Sequence, residues 1–233
     1  MSNHLLDITI LSAGAIEPAL VKAAENFQNK NGCIVNIQWA TTPAIKKIIA
    51  EGKRFDLLVI PPDALNDFKQ SGLVDASSKA FLGQVGVGIA VRDNAPLPQI
   101  ETVDALIKSL MMAEKVIYNR ASSGIYMHEL FQSMNILEAI QDKLIRFDNG
   151  PTMLERLIHG HHNEFGFCAS VEILMYKDKG LKLAGLLPLE IQRFTQYWAV
   201  PFSQGFNRDG AISFLSYLSS QESKKIFLSF GIS

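Results

Sequence analysis

Apolar residues recur along this chain with two alternating periods. Residues 7–11 form a short apolar run, broken at Ser12-Ala13-Gly14. Ile16, Ala19, Leu20, Ala23, Ala24 and Phe27 then fall three and four apart, the spacing of one helix face. Ile34 to Trp39 alternates with period two and predicts a strand; Ile45, Ile48 and Ile49 mark a short helix; Phe55 to Ile60 predicts a third strand, closed by Pro61-Pro62. This β-α-β-α-β order is that of a mostly parallel sheet covered by helices.

The later chain repeats the alternation less cleanly. Strands are predicted at Val85 to Val91, Val116 to Tyr118, Ile145 to Phe147 and Phe165 to Cys168. Helices are predicted around Leu106, around Leu130 and around Leu154, with two more in the tail around Leu215 and Phe227. No short repeat or low-complexity segment interrupts the pattern. The fold class expected is therefore α/β.

Strand-to-helix junctions at the carboxyl edge of such a sheet are where α/β proteins bind ligands. Four share one composition: Ser12-Ala13-Gly14, Thr41-Thr42-Pro43, Ser122-Ser123-Gly124 and Gly150-Pro151-Thr152. Each offers small or hydroxyl residues and free N–H groups where a helix begins. Such a terminus attracts an anion without a charged side chain. The same residues are also ordinary helix caps, so the pattern alone leaves caps and a ligand site both open. Arg120 stands beside one junction and could pair with a carboxylate, or be a surface arginine. Glu17 and His128, near the starts of two helices, are the candidate proton-transfer groups, with a surface role as the alternative for each.

Composition narrows the classes. With 22 Lys+Arg against 23 Asp+Glu, the net charge of −1 gives no basic face for nucleic acid. No apolar stretch approaches the roughly 18 residues of a membrane span, so no membrane insertion is expected. Cys33 and Cys168 form no close pair and read as small buried apolar residues. His159-Gly160-His161-His162 lacks a Cys or carboxylate at ligand spacing and reads as a solvated turn, so no metal is expected. Gly83-Gln-Val-Gly86-Val-Gly88 opens no helix and is no dinucleotide fingerprint, so no cofactor is expected either. Met1 to Asp7 has no basic region followed by an apolar core. The expectation is a periplasmic protein if a leader has been removed and a cytoplasmic one if Met1 is native.

The stretches Ser12-Ala-Gly-Ala-Ile-Glu-Pro-Ala-Leu20, Thr42-Pro-Ala-Ile45 and Phe55-Asp-Leu-Leu-Val-Ile-Pro-Pro62 resemble the first lobe of molybdate-binding-protein-like bacterial solute-binding proteins. The resemblance continues through Leu82–Arg92, Ser123-Gly-Ile-Tyr126, Glu164-Phe-Gly-Phe167 and Leu186-Leu-Pro-Leu-Glu-Ile-Gln192. It implies a type II periplasmic-binding-protein fold: two α/β lobes with mixed sheets around a ligand. Lobe 1 would comprise 1–83 and 201–233, with lobe 2 (84–200) inserted and hinge closure around the ligand. The ligand residues implied are Ser12, Ala13, Gly14, Thr41, Thr42, Arg120, Ser122, Ser123, Gly150, Pro151 and Ser170.

Molybdate binders are expected to carry a tyrosine after the fourth of these later strands, where this chain has Cys168-Ala169-Ser170. The Leu186–Gln192 stretch is similar to a subgroup that also resembles aconitate isomerase. Two functions follow as expectations. One is a monomeric protein that captures a small oxyanion or carboxylate, with an ABC transporter permease as partner. The other is a cofactor-independent isomerase of the aconitate type, in which Arg120 holds a carboxylate and Glu17 or His128 moves the proton. A sensing module is a third reading, without a helix-turn-helix segment to support it.

Overall fold

A computed structural model describes residues 7–161 and 163–233. The chain runs β1 (Ile8–Ala13), α1 (Glu17–Asn31), β2 (Val35–Ala40), α2 (Thr42–Ala50), β3 (Leu57–Ile60), α3 (Pro62–Gln70) and β4 (Ala80–Arg92). It continues with α4 (Val103–Met112), β5 (Lys115–Asn119), α5 (Ser122–Ser133), α6 (Leu137–Ile140), β6 (Leu144–Phe147), α7 (Gly150–Ile158), β7 (Glu164–Ala169) and α8 (Ser170–Leu174). β8 (Leu181–Leu186), β9 (Phe194–Pro201), α9 (Arg208–Leu218) and α10 (Gln221–Ser229) complete it. Contacts divide these elements into two compact units. The first comprises the described residues up to Gln84 together with Gln196–Ser233, and the second Val85–Thr195.

In the first unit β1 lies between β2 and β3, parallel to both, and β9 joins β3 antiparallel. The predicted face of α1 is the buried one: Ala19, Leu20, Ala23, Ala24 and Phe27 all sit in the core. Gly32 ends α1 in the left-handed conformation, with its N–H donated to the Gln28 carbonyl. Phe27 meets the Phe214 ring edge-on at 4.9 Å, so the helices of the returning tail share the first unit's core.

The sequence pattern missed α3, because Pro61-Pro62 was read as a stop. Pro62 is instead the first residue of the helix, where a missing N–H is harmless and φ is already helical. β8 was also unread: its short, half-exposed run carries no clean alternation.

Within the second unit, β4 pairs antiparallel with β7 and β8, while β5 runs parallel to both β6 and β7. Both faces are covered. Ile89, Val116, Tyr118, Phe165 and Phe167 face one core, and Ala90, Ile117 and Cys168 face the other. That strict parity explains why these strands read as unbroken apolar runs. Among the described residues, no helix is long and apolar enough to cross a membrane.

One buried carboxylate holds the first unit's distant segments together. Asp56, immediately before β3, is 2% exposed. It accepts hydrogen bonds from the Thr9 N–H and the Thr9 hydroxyl, both at 2.7 Å, and from the Asn207 N–H at 2.7 Å. Asn207 caps α9, accepting the Gly210 N–H at 2.9 Å. The carboxylate therefore joins β1, the entry to β3 and the start of α9. Asp56→Ala leaves those donors buried and should cost about 2–4 kcal/mol of unfolding free energy. Urea melts with an unchanged midpoint would refute that role.

Candidate functional site

In the first unit, the ends of β1 and β2 lie side by side. Their register pairs Ser12 with Trp39 and Ala13 with Ala40, which sets Gly14 beside Thr41. Ser12 is fully buried, and its hydroxyl donates to the Ala13 carbonyl at 3.1 Å. Thr41 and Thr42 are half-buried at the start of α2. Thr41 occupies the cap position, yet its side chain makes no capping bond.

In the second unit, β5 and β6 end together, with Asn119 opposite Phe147. This sets Arg120 beside Asp148, the guanidinium Nε lying 3.8 Å from Oδ1. Arg120 is 60% exposed, so the pair is a weak, solvated one. Ser122 and Ser123 open α5, whose cap position is Ala121, again without a side-chain cap. Gly124 lies so close to the Asn119 carbonyl and side chain that no Cβ fits there. Gly150 and Pro151 open α7 and Ser170 opens α8; Gly150 and Ser170 are buried and Pro151 is exposed.

The caps separate the helices into two groups. Thr102, Asn149, Asn207 and Ser220 each cap their own helix with a side-chain oxygen. The starts of α1, α2, α3, α5, α6 and α8 have no such cap. At α2 and α5 a hydroxyl is nearby and the cap is still not made. The positive end of the dipole at these two helix starts therefore carries no side-chain cap from Thr41 or Ala121. The Gly150 junction differs: the Asn149 side chain already accepts from the Thr152 N–H and hydroxyl at 2.9 and 2.8 Å.

The two proton-transfer candidates sit in different surroundings. Glu17 is half-buried at the first turn of α1, and burial pushes its carboxyl above the usual 4.5. His128 stands on α5 with Nδ1 3.0 Å from the hydroxyl of the fully buried Tyr118, in contact with the core. His159 and His161 are exposed, and His162 lies outside the described residues. Between His159 and His161, the Gly160 carbonyl accepts from Arg92 at 2.6 Å, and Gly160 lies against the Arg156 side chain and the buried Glu164 carboxylate, which pair with each other. Among the described residues no group of side chains suits a metal ion.

Two residues near these junctions escaped the sequence reading. Asn119 is not among the candidates read from the sequence, although an Asn before Arg-Ala-Ser is a signal for a side-chain-stabilised turn. Its Oδ1 does accept from the Ala121 N–H at 2.9 Å. Glu172 gave no local signal. Its carboxylate lies against Gly150, where a Cβ would overlap it, a contact made only by the fold.

The family model described as "Bacterial extracellular solute-binding protein" matches residues 8–233. A curated relative, aconitate isomerase from a Pseudomonas species, is 27% identical over 224 residues, covering 94% of this chain and 84% of its own. Among solved structures, the periplasmic molybdate-binding protein of Azotobacter vinelandii superposes with a TM-score of 0.81 at 13% identity. That match covers 97% of this chain and 98% of the other. The sulfate-binding protein SubI of Mycobacterium tuberculosis H37Rv gives 0.79 at 15% identity, covering 97% and 86%. The fold is the type II one of ABC-transporter solute-binding proteins, α/β with mixed sheets flanked by helices.

Glu17 gives a pH signature. With its folded pKa above the unfolded one, the native state holds the proton more tightly, and stability falls as pH rises from about 4.5 through the folded value. Glu17→Gln should remove that decline and unfold at a higher temperature than wild type at pH 7. Parallel pH profiles for the two proteins would show the carboxyl to be unperturbed.

Proposed function

Because the chain belongs to the family of bacterial extracellular solute-binding proteins, we propose that it captures a small anion, an oxyanion or a carboxylate, by closing its two units around it. The observation that carries this reading is the pair of helix starts at α2 and α5, flanked by hydroxyls and left without side-chain caps. Hydrogen bonds to a charged group are about twice as strong as neutral ones, so such donors give affinity without cationic side chains. Ser12, Thr41 and Thr42 would serve from the first unit. Ser122, Ser123, Gly150, Pro151 and Ser170 would serve from the second, with Arg120 drawn in where the ligand carries a carboxylate. In this reading the protein delivers its ligand to an ABC transporter permease as a monomer, with no chemistry of its own.

The 27% identity with an aconitate isomerase favours a second reading. A cleft base would then take an allylic proton from a tricarboxylate and return it to another carbon. Glu17, whose burial already favours the protonated form, suits that role better than His128, whose Nδ1 is engaged by Tyr118.

Thermal shift against molybdate, sulfate, phosphate, citrate and both aconitates tests the first reading. A ligand at 100 times its Kd adds about 2.7 kcal/mol to native stability. Conversion of one aconitate isomer into the other would establish turnover and the second reading. Ser122→Pro is the sharper probe of the backbone donors. Proline suits the first helical position, and Ala121 is already extended, as a residue before proline should be. The variant should lose about tenfold or more in anion affinity. Undiminished affinity would remove the α5 terminus from the site.

A further inference from the structure

Asn119, the last residue of β5, is fully buried, and its Nδ2 has no hydrogen-bond partner among the described residues. Its Oδ1 is already committed to the Ala121 N–H in the first turn leading into α5. Native proteins seldom leave a buried amide donor unmatched, so this one calls for an acceptor from outside the fold. The sheet register says what surrounds it. Tyr118 pairs with Phe167, so Asn119 falls beside Cys168. Alternation along β5 puts Asn119 on the same face as Ile117, which shares a core with Cys168.

A carboxylate occupies the same end of that face. Glu172 Oε2 is buried and lies against Gly150 at the start of α7. The Cys168 thiol is pushed well above its ordinary value, first by burial and then by the charge and hydrogen bond of Glu172. Asn119, Cys168, Glu172 and Gly150 are thus gathered at the carboxyl ends of β5, β6 and β7, next to the uncapped start of α5. The contact of Glu172 with Gly150 is made only by the fold, and neither Asn119 nor Glu172 terminates a helix.

We propose that Asn119 and Glu172 form a donor–acceptor pair that reads an acidic ligand bearing a hydroxyl, either C–OH beside carboxylates or the P–OH of a hydrogen phosphate. The inference rests on the anion-binding reading above. A hydroxyl oxygen accepts from Asn119 Nδ2 while its proton is donated to Glu172. A fully ionised oxygen at the same point meets the Glu172 charge with nothing to donate and is disfavoured. The positive end of the α5 dipole meets the anionic part of the molecule, and the pair selects among anions.

Calorimetric titration of the full chain at pH 7 tests this with two matched pairs: citrate against tricarballylate, which lacks only the hydroxyl, and phosphate against sulfate. The hydroxyl-bearing member of one pair should bind at least tenfold tighter, and the pair that discriminates identifies C–OH or P–OH as the group read. Glu172→Gln should bring that ratio towards one by admitting the other member. Asn119→Leu should weaken the hydroxyl-bearing ligand at least tenfold, with some loss of unliganded melting temperature because the Ala121 N–H also loses its acceptor. Should that variant fail to fold, the wild-type ratios and Glu172→Gln decide. Equal affinities within both pairs, or a ratio unchanged in Glu172→Gln, overturn the proposal and leave anion binding standing. Absence of binding to all four overturns this proposal, and silence to molybdate and both aconitates as well overturns the anion-binding reading with it.

Discussion

The carboxylate of Asp56 receives three hydrogen bonds from two segments that the sequence separates widely, and the first unit is organised around it. Thr9 lies 47 positions before it and Asn207 lies 151 after it. Such a buried charge is tolerable because each bond is charge-assisted and short, and no donor is wasted. The backbone follows the same path. The Asp56 N–H donates to the Thr9 carbonyl, and its carbonyl accepts from the Phe202 N–H. β1, β3 and the returning tail are thereby fixed in register at one point, and the ends of β1 and β2 inherit their placement from it. At the far side of the unit, Gln84 exchanges backbone hydrogen bonds with Ser233, and Gly83 takes a φ of +131° where Ile232 and Ser233 leave no room for a side chain.

In the proposed reading the near-zero net charge is compatible with anion recognition, because helix starts would attract the ligand without a basic surface. The distribution of caps carries this point. At Thr102 and Ser220, away from the candidate site, a side-chain oxygen satisfies the first turn, although α3 and α6 also begin without one. At Thr41 the hydroxyl is in the capping position and does not cap, and at Ala121 there is no oxygen to do so. The start of α7 is a mixed case, capped by Asn149 and flanked by the carboxylate of Glu172.

Much of the fold was legible because buried strands and amphipathic helices write their periods into the sequence. The α1 stripe from Ala19 to Phe27 and the β5 run at Val116 to Tyr118 were read for that reason. α3 was lost to two prolines that begin a helix as readily as they end a strand. The four junctions could be found by composition, but a cap and a ligand loop use the same residues, and only the cap geometry separates them. Glu172 lay beyond any local reading, since its meaning comes from Gly150 across a tertiary contact. Asn119 carries a turn signal in its local sequence, whereas its unmatched Nδ2 depends on β7 and α5 closing around it.

The separation between Asp56 and Asn207 also bears on how the molecule is made. Val85–Thr195 is one uninterrupted stretch, whereas the first unit draws on residues from both sides of it. A ribosome adding about 5–20 residues per second needs roughly 8–30 seconds to pass from Asp56 to Asn207. Throughout that interval the Asp56 carboxylate lacks one of its three donors, and β3 lacks the strand that covers its edge. The inserted unit can therefore fold first during synthesis, and the half-built first unit is the species with most need of a chaperone.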